Sequence, residues 1–233
     1  MSLLSVKNLT INFDDDSVIK DLSFDIEKGD FVSVIGPNGS GKSSLLKALL
    51  NLISFKGEIV WQPKVKIGYL PQGLTPLKVK DYPLTVFDFF KLKNKNLSKE
   101  EIIKILKEVD LGQNVLQKKI GNLSGGQFQK MLIKWVLMNN PDILILDEPE
   151  TSLDYQSGET IYSLLKELWE KKQQTILLVT HEFDVVGKYS NKVLCLAHSN
   201  YHCLGKANDV LTEATFKKLF GKDIKLYQHT KEN

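Results

Sequence analysis

The sequence contains no arginine; all 31 basic residues among its 233 are lysine. Lysine is a point charge on a flexible stem and cannot reproduce the planar, two-pronged contact of a guanidinium. Such contacts are therefore excluded, from this chain and from a second copy of it. Cysteine is nearly absent, and two residues are too few for a disulfide framework. Long apolar runs are missing as well. The strongest, Ile143–Leu146 and Ile176–Val179, are strand length, far short of the roughly 20 residues a membrane span needs. The opening Met1-Ser2-Leu3-Leu4-Ser5-Val6-Lys7 has neither the basic start nor the apolar core of a signal peptide. A cytosolic protein is expected, and any membrane process it serves needs another polypeptide to cross the bilayer. Net charge is small, +3, and the densest group, Lys91, Lys93 and Lys95, reads as a solvated surface. No nucleic-acid partner is expected.

What is present is an ordinary globular composition, 42% hydrophobic and 25% charged, in a length that fits one substantial domain with an inserted subdomain. The chain is organised around Gly36-Pro37-Asn38-Gly39-Ser40-Gly41-Lys42-Ser43-Ser44, which follows the apolar run Phe31–Ile35 and precedes the helix-like 45–50. This is a phosphate-binding loop in strand–loop–helix context. Its glycines let backbone N–H groups turn inward and approach a phosphate chain. The following helix adds unpaired N–H donors and its positive end. Lys42 can reach the β- and γ-phosphates, and the Ser43 hydroxyl can ligate Mg²⁺. A nucleotide site is expected.

Around this loop the pattern is strand and helix in turn. Leu9, Ile11 and Phe13, then Leu22, Phe24 and Ile26, alternate as two half-buried antiparallel strands, with Asp14-Asp15-Asp16-Ser17 as their turn. Phe13 is either core or a stacking platform for an adenine ring. Strands follow at 57–61 and 65–70, the second ending in Pro71-Gln72, beyond a strand end where open α/β sheets bind ligands. Residues 73–139 lack alternation and pattern as helices, the mark of an inserted helical subdomain within a core of 1–72 and 140–233. There Ser98-Lys99-Glu100-Glu101 is a capping box ahead of an apolar face of Ile102, Ile105, Leu106 and Val109, with Gly112 as the stop.

Leu123-Ser124-Gly125-Gly126-Gln127 enters the helix 128–138, with Ser124 as N-cap and two glycines leaving N–H groups open for an anion. Next, Ile143–Leu146 reads as a central strand ending in Asp147 and Glu148. Beside Mg²⁺-ATP, Asp147 would hold the metal and Glu148 would polarise the attacking water. Ser152-Leu153-Asp154 leads into a helix with a core stripe of Ile161, Leu164, Leu165 and Leu168. The buried strand 175–180 ends at His181, which stands where it can reach a γ-phosphate.

In this order these elements resemble the nucleotide-binding subunit of an ATP-binding-cassette (ABC) transporter, over nearly the whole chain. Residues Gly36–Ser43 match Walker A, Gln72 the Q-loop, Leu123–Gln127 the signature and Ile143–Glu148 Walker B. Asp154 matches the D-loop, His181 the switch histidine, and Phe13 the adenine-stacking aromatic. The resemblance implies an α/β P-loop NTPase fold with N-terminal antiparallel strands and the helical insert. ATP and Mg²⁺ are the implied ligands, with Ser43, Gln72 and Asp147 at the metal. It also implies a head-to-tail dimer in which Ser124 and Gly126 of one copy close over the γ-phosphate held by the other. That contribution is a hydroxyl, backbone N–H groups and a helix dipole, so no arginine is required. Glu148 would be the base and His181 the γ-phosphate contact, while Gln72 would couple the site to a membrane permease. Three positions depart from the pattern: Lys130 and Trp135 stand where arginine is common, and Glu150 where threonine is frequent.

Several stretches, 67–72, 83–86, 153–158 and 193–198, are most similar to zinc-import ATPases, with manganese and iron importers sharing much of the pattern. The cargo expected is zinc, delivered by an extracytoplasmic metal-binding protein, and the location the cytoplasmic face of the membrane. The alternatives are another importer cargo, a non-transport cassette acting on nucleic acid or ribosomes, and a scaffold without turnover. Cys195, His198, His202 and Cys203 fall in a hairpin, Val193–Ala197 with Tyr201–Leu204. A two-residue turn at Ser199-Asn200 pairs Leu196 with Cys203 and separates the cysteines; a three-residue turn brings them together. A plain hairpin is expected over a metal site.

Overall fold

The structure, a computed structural model, describes residues 2–13, 16–151, 153–198 and 201–221. Met1, Asp14, Asp15, Ser152, Ser199, Asn200 and the residues after Gly221 lie outside the described residues, and with them most of the two turns expected from sequence. The chain forms two compact units, Met1–Pro63 with Leu177–Asn233, and Lys64–Ile176.

The first unit opens with β1 (Ser2–Phe13) and β2 (Asp16–Glu27), paired antiparallel with Leu9 facing Leu22. Leu22, Phe24 and Ile26 are buried while the residues between them are exposed, as alternation requires. Pairing runs out to Phe13 and Asp16, so Asp16 and Ser17 belong to β2 rather than to the expected four-residue turn. The fully buried β3 (Phe31–Ile35) feeds the glycine-rich loop and α1 (Lys42–Leu49). Strand β4 (Lys56–Trp61) pairs with the other side of β1, and Trp61 Nε1 donates to Leu49 O at 2.9 Å, tying that sheet to α1.

The second unit holds β5 (Ile67–Leu70), then α2 (Val86–Lys93), α3 (Lys99–Lys107) and α4 (Gly125–Leu137), then β6 (Ile143–Asp147) and α5 (Tyr155–Lys172). Strands β5 and β6 run parallel, with Leu70 level with Leu146. Thr85, Ser98 and Ser124 each close a capping box, so α2, α3 and α4 all start on reciprocal side-chain bonds. Gly112 is not the stop of α3. The helix ends at Lys107, Asp110 takes the left-handed conformation (φ 55°), and Gly112 instead opens a 3₁₀ turn over Gln113–Val115.

The departures at Lys130 and Trp135 are absorbed locally. Lys130 lies 3.8 Å from Asp110. Trp135 stacks on Phe89 at 5.1 Å between ring centroids and donates to Phe89 O, while Lys93 lies over its ring at 4.0 Å. The Lys93 ammonium also donates to Trp135 O, one of the last carbonyls of α4. Burial holds its pKa below the usual lysine value.

Strand β7 (Thr175–Val179) leads back to the first unit, followed by α6 (Phe183–Tyr189), β8 (Lys192–Leu196), β9 (His202–Gly205), α7 (Ala207–Val210) and α8 (Glu213–Phe220). Strand β8 lies parallel to β3 and antiparallel to β9. Leu196 pairs with His202, not Cys203, and Ala197 N donates to Tyr201 O. The connection is therefore three residues long, 198–200, and Cys195 faces Cys203. The two are bonded as a disulfide, a single bridge where none was expected.

Candidate nucleotide-binding site

In the first unit, β3 delivers the chain into a loop that leaves no room for a side chain at Gly36 or Gly41. A methyl group on Gly36 would collide with the Leu196 carbonyl oxygen and lie 2.7 Å from Ser40 Oγ. Gly41 caps α1 with φ 95°, and Val18 and Ile19 of β2 lie against it. The end of the β1–β2 ladder thus reaches the loop, and Phe13, at that end, is 49% exposed. A ring so open is not part of the core. Lys42 is buried, and its ammonium donates to Gly36 O at 2.9 Å and Pro37 O at 3.0 Å, folded back on its own loop. Ser40 is 2% exposed, and its Oγ has no hydrogen-bond partner. A buried hydroxyl without a partner costs about 1–3 kcal/mol. Together with the donors of the loop and the α1 N-terminus, it fits an anion that would accept its hydrogen bond. Thr180 N donates to Val34 O, so His181 follows directly beside the carboxyl end of β3.

In the second unit the parallel register of β5 and β6 sets Gln72 level with Glu148, each two residues beyond the paired Leu70 and Leu146. Gln72 Nε2 donates to Glu148 Oε2 at 2.5 Å, and Thr151 Oγ1 donates to the same oxygen at 3.2 Å. Glu148 has a left-handed backbone (φ 47°), held by Thr151 N donating to Glu148 O at 3.1 Å. Such a conformation costs of order 1 kcal/mol in a residue with a side chain, and it re-aims the carboxylate at the strand end. Asp147 is 3% exposed. Burial first, and then the Asp147 charge, push the Tyr69 phenol above its usual pKa. A buried carboxylate of this kind suits a hard cation, and oxygen donors are the type Mg²⁺ prefers.

The same unit carries the signature. Ser124 Oγ accepts from Gln127 N at 3.3 Å and Gln127 Oε1 from Ser124 N at 3.2 Å; Ser124 is exposed and Leu123 buried. A methyl on Gly126 would lie 3.0 Å from Ser157 Oγ. Ser157 in turn donates from N and Oγ to the two oxygens of Asp154, at 2.9 and 2.8 Å. These bonds, the backbone one foremost, hold the Asp154 carboxyl below its usual pKa. Signature and D-loop are thus joined through Ser157. Sequence reading missed that residue, although a serine three positions after an N-cap aspartate is the signal for it. It also missed Thr151, and no local pattern marks a side chain whose partner depends on a left-handed Glu148. The group Cys195, His198, His202 and Cys203 does not assemble: among the described residues no three His, Cys, Asp or Glu could hold a metal ion together.

A glycine-rich strand–loop–helix with a buried lysine, an acid pair ending a buried strand and a capped Ser-Gly-Gly helix start define a P-loop nucleotide-binding cassette. Comparison with known proteins carries this further. The sequence model of the family described as ABC transporter matches residues 19–151. The chain is 34% identical over 240 residues to the zinc import ATP-binding protein ZnuC of Buchnera aphidicola subsp. Schizaphis graminum, covering 100% of this chain and 98% of that one. It is 36% identical to ZnuC of Rickettsia conorii, covering 92% and 91%. Its fold is similar to the dimeric ATP-binding cassette MJ0796 in a post-hydrolysis state with ADP and phosphate, at 29% identity and TM-score 0.70, covering 88% and 98%. The chain belongs to the ABC transporter family, as an ATP-hydrolysing cassette.

Proposed function

We propose that this ATPase subunit energises import of a divalent metal ion, zinc, through a separate membrane permease. No described helix is long and apolar enough to cross a membrane, and the ion's path is assigned to that permease. The full-length likeness to zinc import subunits is the observation that carries the cargo. An extracytoplasmic metal-binding protein delivers the ion, and the cassette works on the cytoplasmic face of the membrane.

The residue roles follow from their chemistry. Phe13 stacks on adenine, while the N–H groups and side chains of Gly36 through Ser44 hold the phosphates, Lys42 leaving its loop carbonyls for the β- and γ-phosphates. Ser43, Gln72 and Asp147 hold Mg²⁺, which when bound neutralises charge on the β- and γ-phosphate oxygens. Glu148 accepts a proton from the water that attacks the γ-phosphorus, and His181 donates to the γ-phosphate. Ser124, Gly125 and Gly126 of a second copy, between Leu123 and Gln127, complete the γ-phosphate site in a head-to-tail dimer. Asp154 stands behind them through Ser157. The helical stretch 73–139 forms a subdomain between core segments 1–72 and 140–233, and it transmits closure to the permease.

Deleting the gene in its source organism and growing it with a divalent-metal chelator tests the cargo. Growth restored by added zinc, and not by manganese or iron, is the expected result. Restoration by manganese or iron instead moves the cargo to that ion. Loss of growth that no metal relieves removes the import reading.

A further inference from the structure

Ile35, Cys195 and Cys203 form one row across three strands: Ile35 is level with Cys195 in the parallel pair, and Cys195 faces Cys203 in the antiparallel pair. The cysteine Cα atoms are 4.9 Å apart and the sulfurs are bonded. Cys195 is fully buried in a cluster with Ile35, Val186 and Val193, whereas Cys203 is only partly buried on the terminal strand β9. The strand carrying Cys195 goes on to touch the phosphate loop twice. Its Leu196 carbonyl lies against Gly36, and a methyl on Gly39 would lie 3.1 Å from His198 Cε1. The bridge therefore sits one residue from a backbone contact that shapes the loop.

Metal chemistry does not explain the pair. Two sulfurs fall short of a tetrahedral zinc site, and no third ligand joins them among the described residues. His202 neighbours Cys203 on an alternating strand and so occupies the other face. A disulfide in a cytoplasmic protein is, as a rule, one that opens and closes with redox state.

We propose that Cys195 and Cys203 are a reversible thiol–disulfide pair that sets the affinity of the phosphate loop for ATP. The proposal rests on the nucleotide-binding and cytoplasmic reading above. Closure proceeds with a low-molecular-weight disulfide such as oxidised glutathione as the oxidant. The more accessible Cys203 thiolate attacks one of its sulfurs and expels a glutathione thiolate. Cys195 then loses its proton and attacks the mixed disulfide at Cys203, expelling the second. Two protein thiols become one disulfide, one glutathione disulfide becomes two thiols, and no other reactant is needed. The closed bridge pins β8 to β9 and holds the Leu196 carbonyl and His198 against the loop. A loop already held in its binding shape loses less freedom on taking up ATP and binds it more tightly.

The full-length chain equilibrated across ratios of reduced to oxidised glutathione tests this. Free thiols are then alkylated, and the tryptic peptide containing both cysteines is weighed. A reversible transition is expected between the doubly alkylated peptide and the bridged one, which is lighter by the mass of the two alkyl groups. ATP titrated into each state should bind the oxidised chain about threefold or more tightly, and Cys203→Ser should bind like the reduced chain at every ratio. A peptide that never bridges overturns the proposal, as does an oxidised chain of equal or lower affinity. A reduced chain that binds no ATP at all would instead overturn the nucleotide reading, so the two failures are told apart.

Discussion

The amide of Gln72 donates to the carboxylate of Glu148 at 2.5 Å because two parallel strands in register end at the same level. The first residue leads into the helical stretch, and the second is the proposed base. Their bond makes the aim of Glu148 depend on where residue 72 stands. Gln72→Ala should lower kcat about tenfold or more, as expected when a catalytic group loses its orienting partner. Equal kcat in steady-state phosphate release would remove that dependence.

Glu148→Gln keeps the size of the side chain but cannot take a proton. Turnover should fall about 100-fold or more, and with saturating Mg²⁺-ATP the chain should sediment as a stable dimer. Wild-type turnover, or a monomer under those conditions, counts against the assigned base.

Gly126 separates folding from the proposed contact with a second copy. An alanine there meets Ser157 Oγ at 3.0 Å and Ser157 Cβ at 3.1 Å, a tight contact that a shift of a few tenths of an ångström relieves. Gly126→Ala should melt within about 2 °C of wild type. It should nevertheless lower ATP turnover about tenfold or more, because the methyl stands where the partner's phosphate would approach. Thermal melting and phosphate release on one preparation check both halves.

Glu108 joins three helices, accepting from Lys134 at 2.5 Å and from Lys172 at 3.3 Å at the end of α3. The Lys134 hydrogen bond is the chief cause holding its carboxyl below the usual 4.5. A lowered carboxyl pKa gives stability that is present above the unfolded value and lost as pH falls through the folded one. Its side chain is 48% exposed, so solvent screening limits the cluster to about 0.5–1 kcal/mol. Glu108→Gln should lower Tm by about 1–4 °C at pH 7, and by less as pH falls through the lowered folded value and the wild-type carboxyl is itself protonated.

Trp135 offers a larger effect. Truncation to alanine removes its stack on Phe89, its bond to Phe89 O and the ring beneath Lys93. The loss should be about 2–4 kcal/mol in urea unfolding, against less than about 1.5 for Trp135→Phe, which keeps most of the stack.

The local chemistry of this chain was determined by sequence. The phosphate loop, the acid pair, the capped helix starts and most strands depend on residue type and spacing over ten residues or fewer. Alternation and capping act at that range, so Phe31–Ile35 and the Ser98 capping box are legible as written. Long-range register is a different matter, because a strand's partner is set by hydrophobic faces elsewhere in the fold. Only tertiary structure could decide that Phe13 stays exposed, that Gln72 meets Glu148, and that Ser157 joins Asp154 to the signature. It also decided that the hairpin turns in three residues, bringing Cys195 and Cys203 face to face one step from the loop. Sequence could state both registers but could not choose, since the choice lies in how β9 pairs with β8 in the folded sheet.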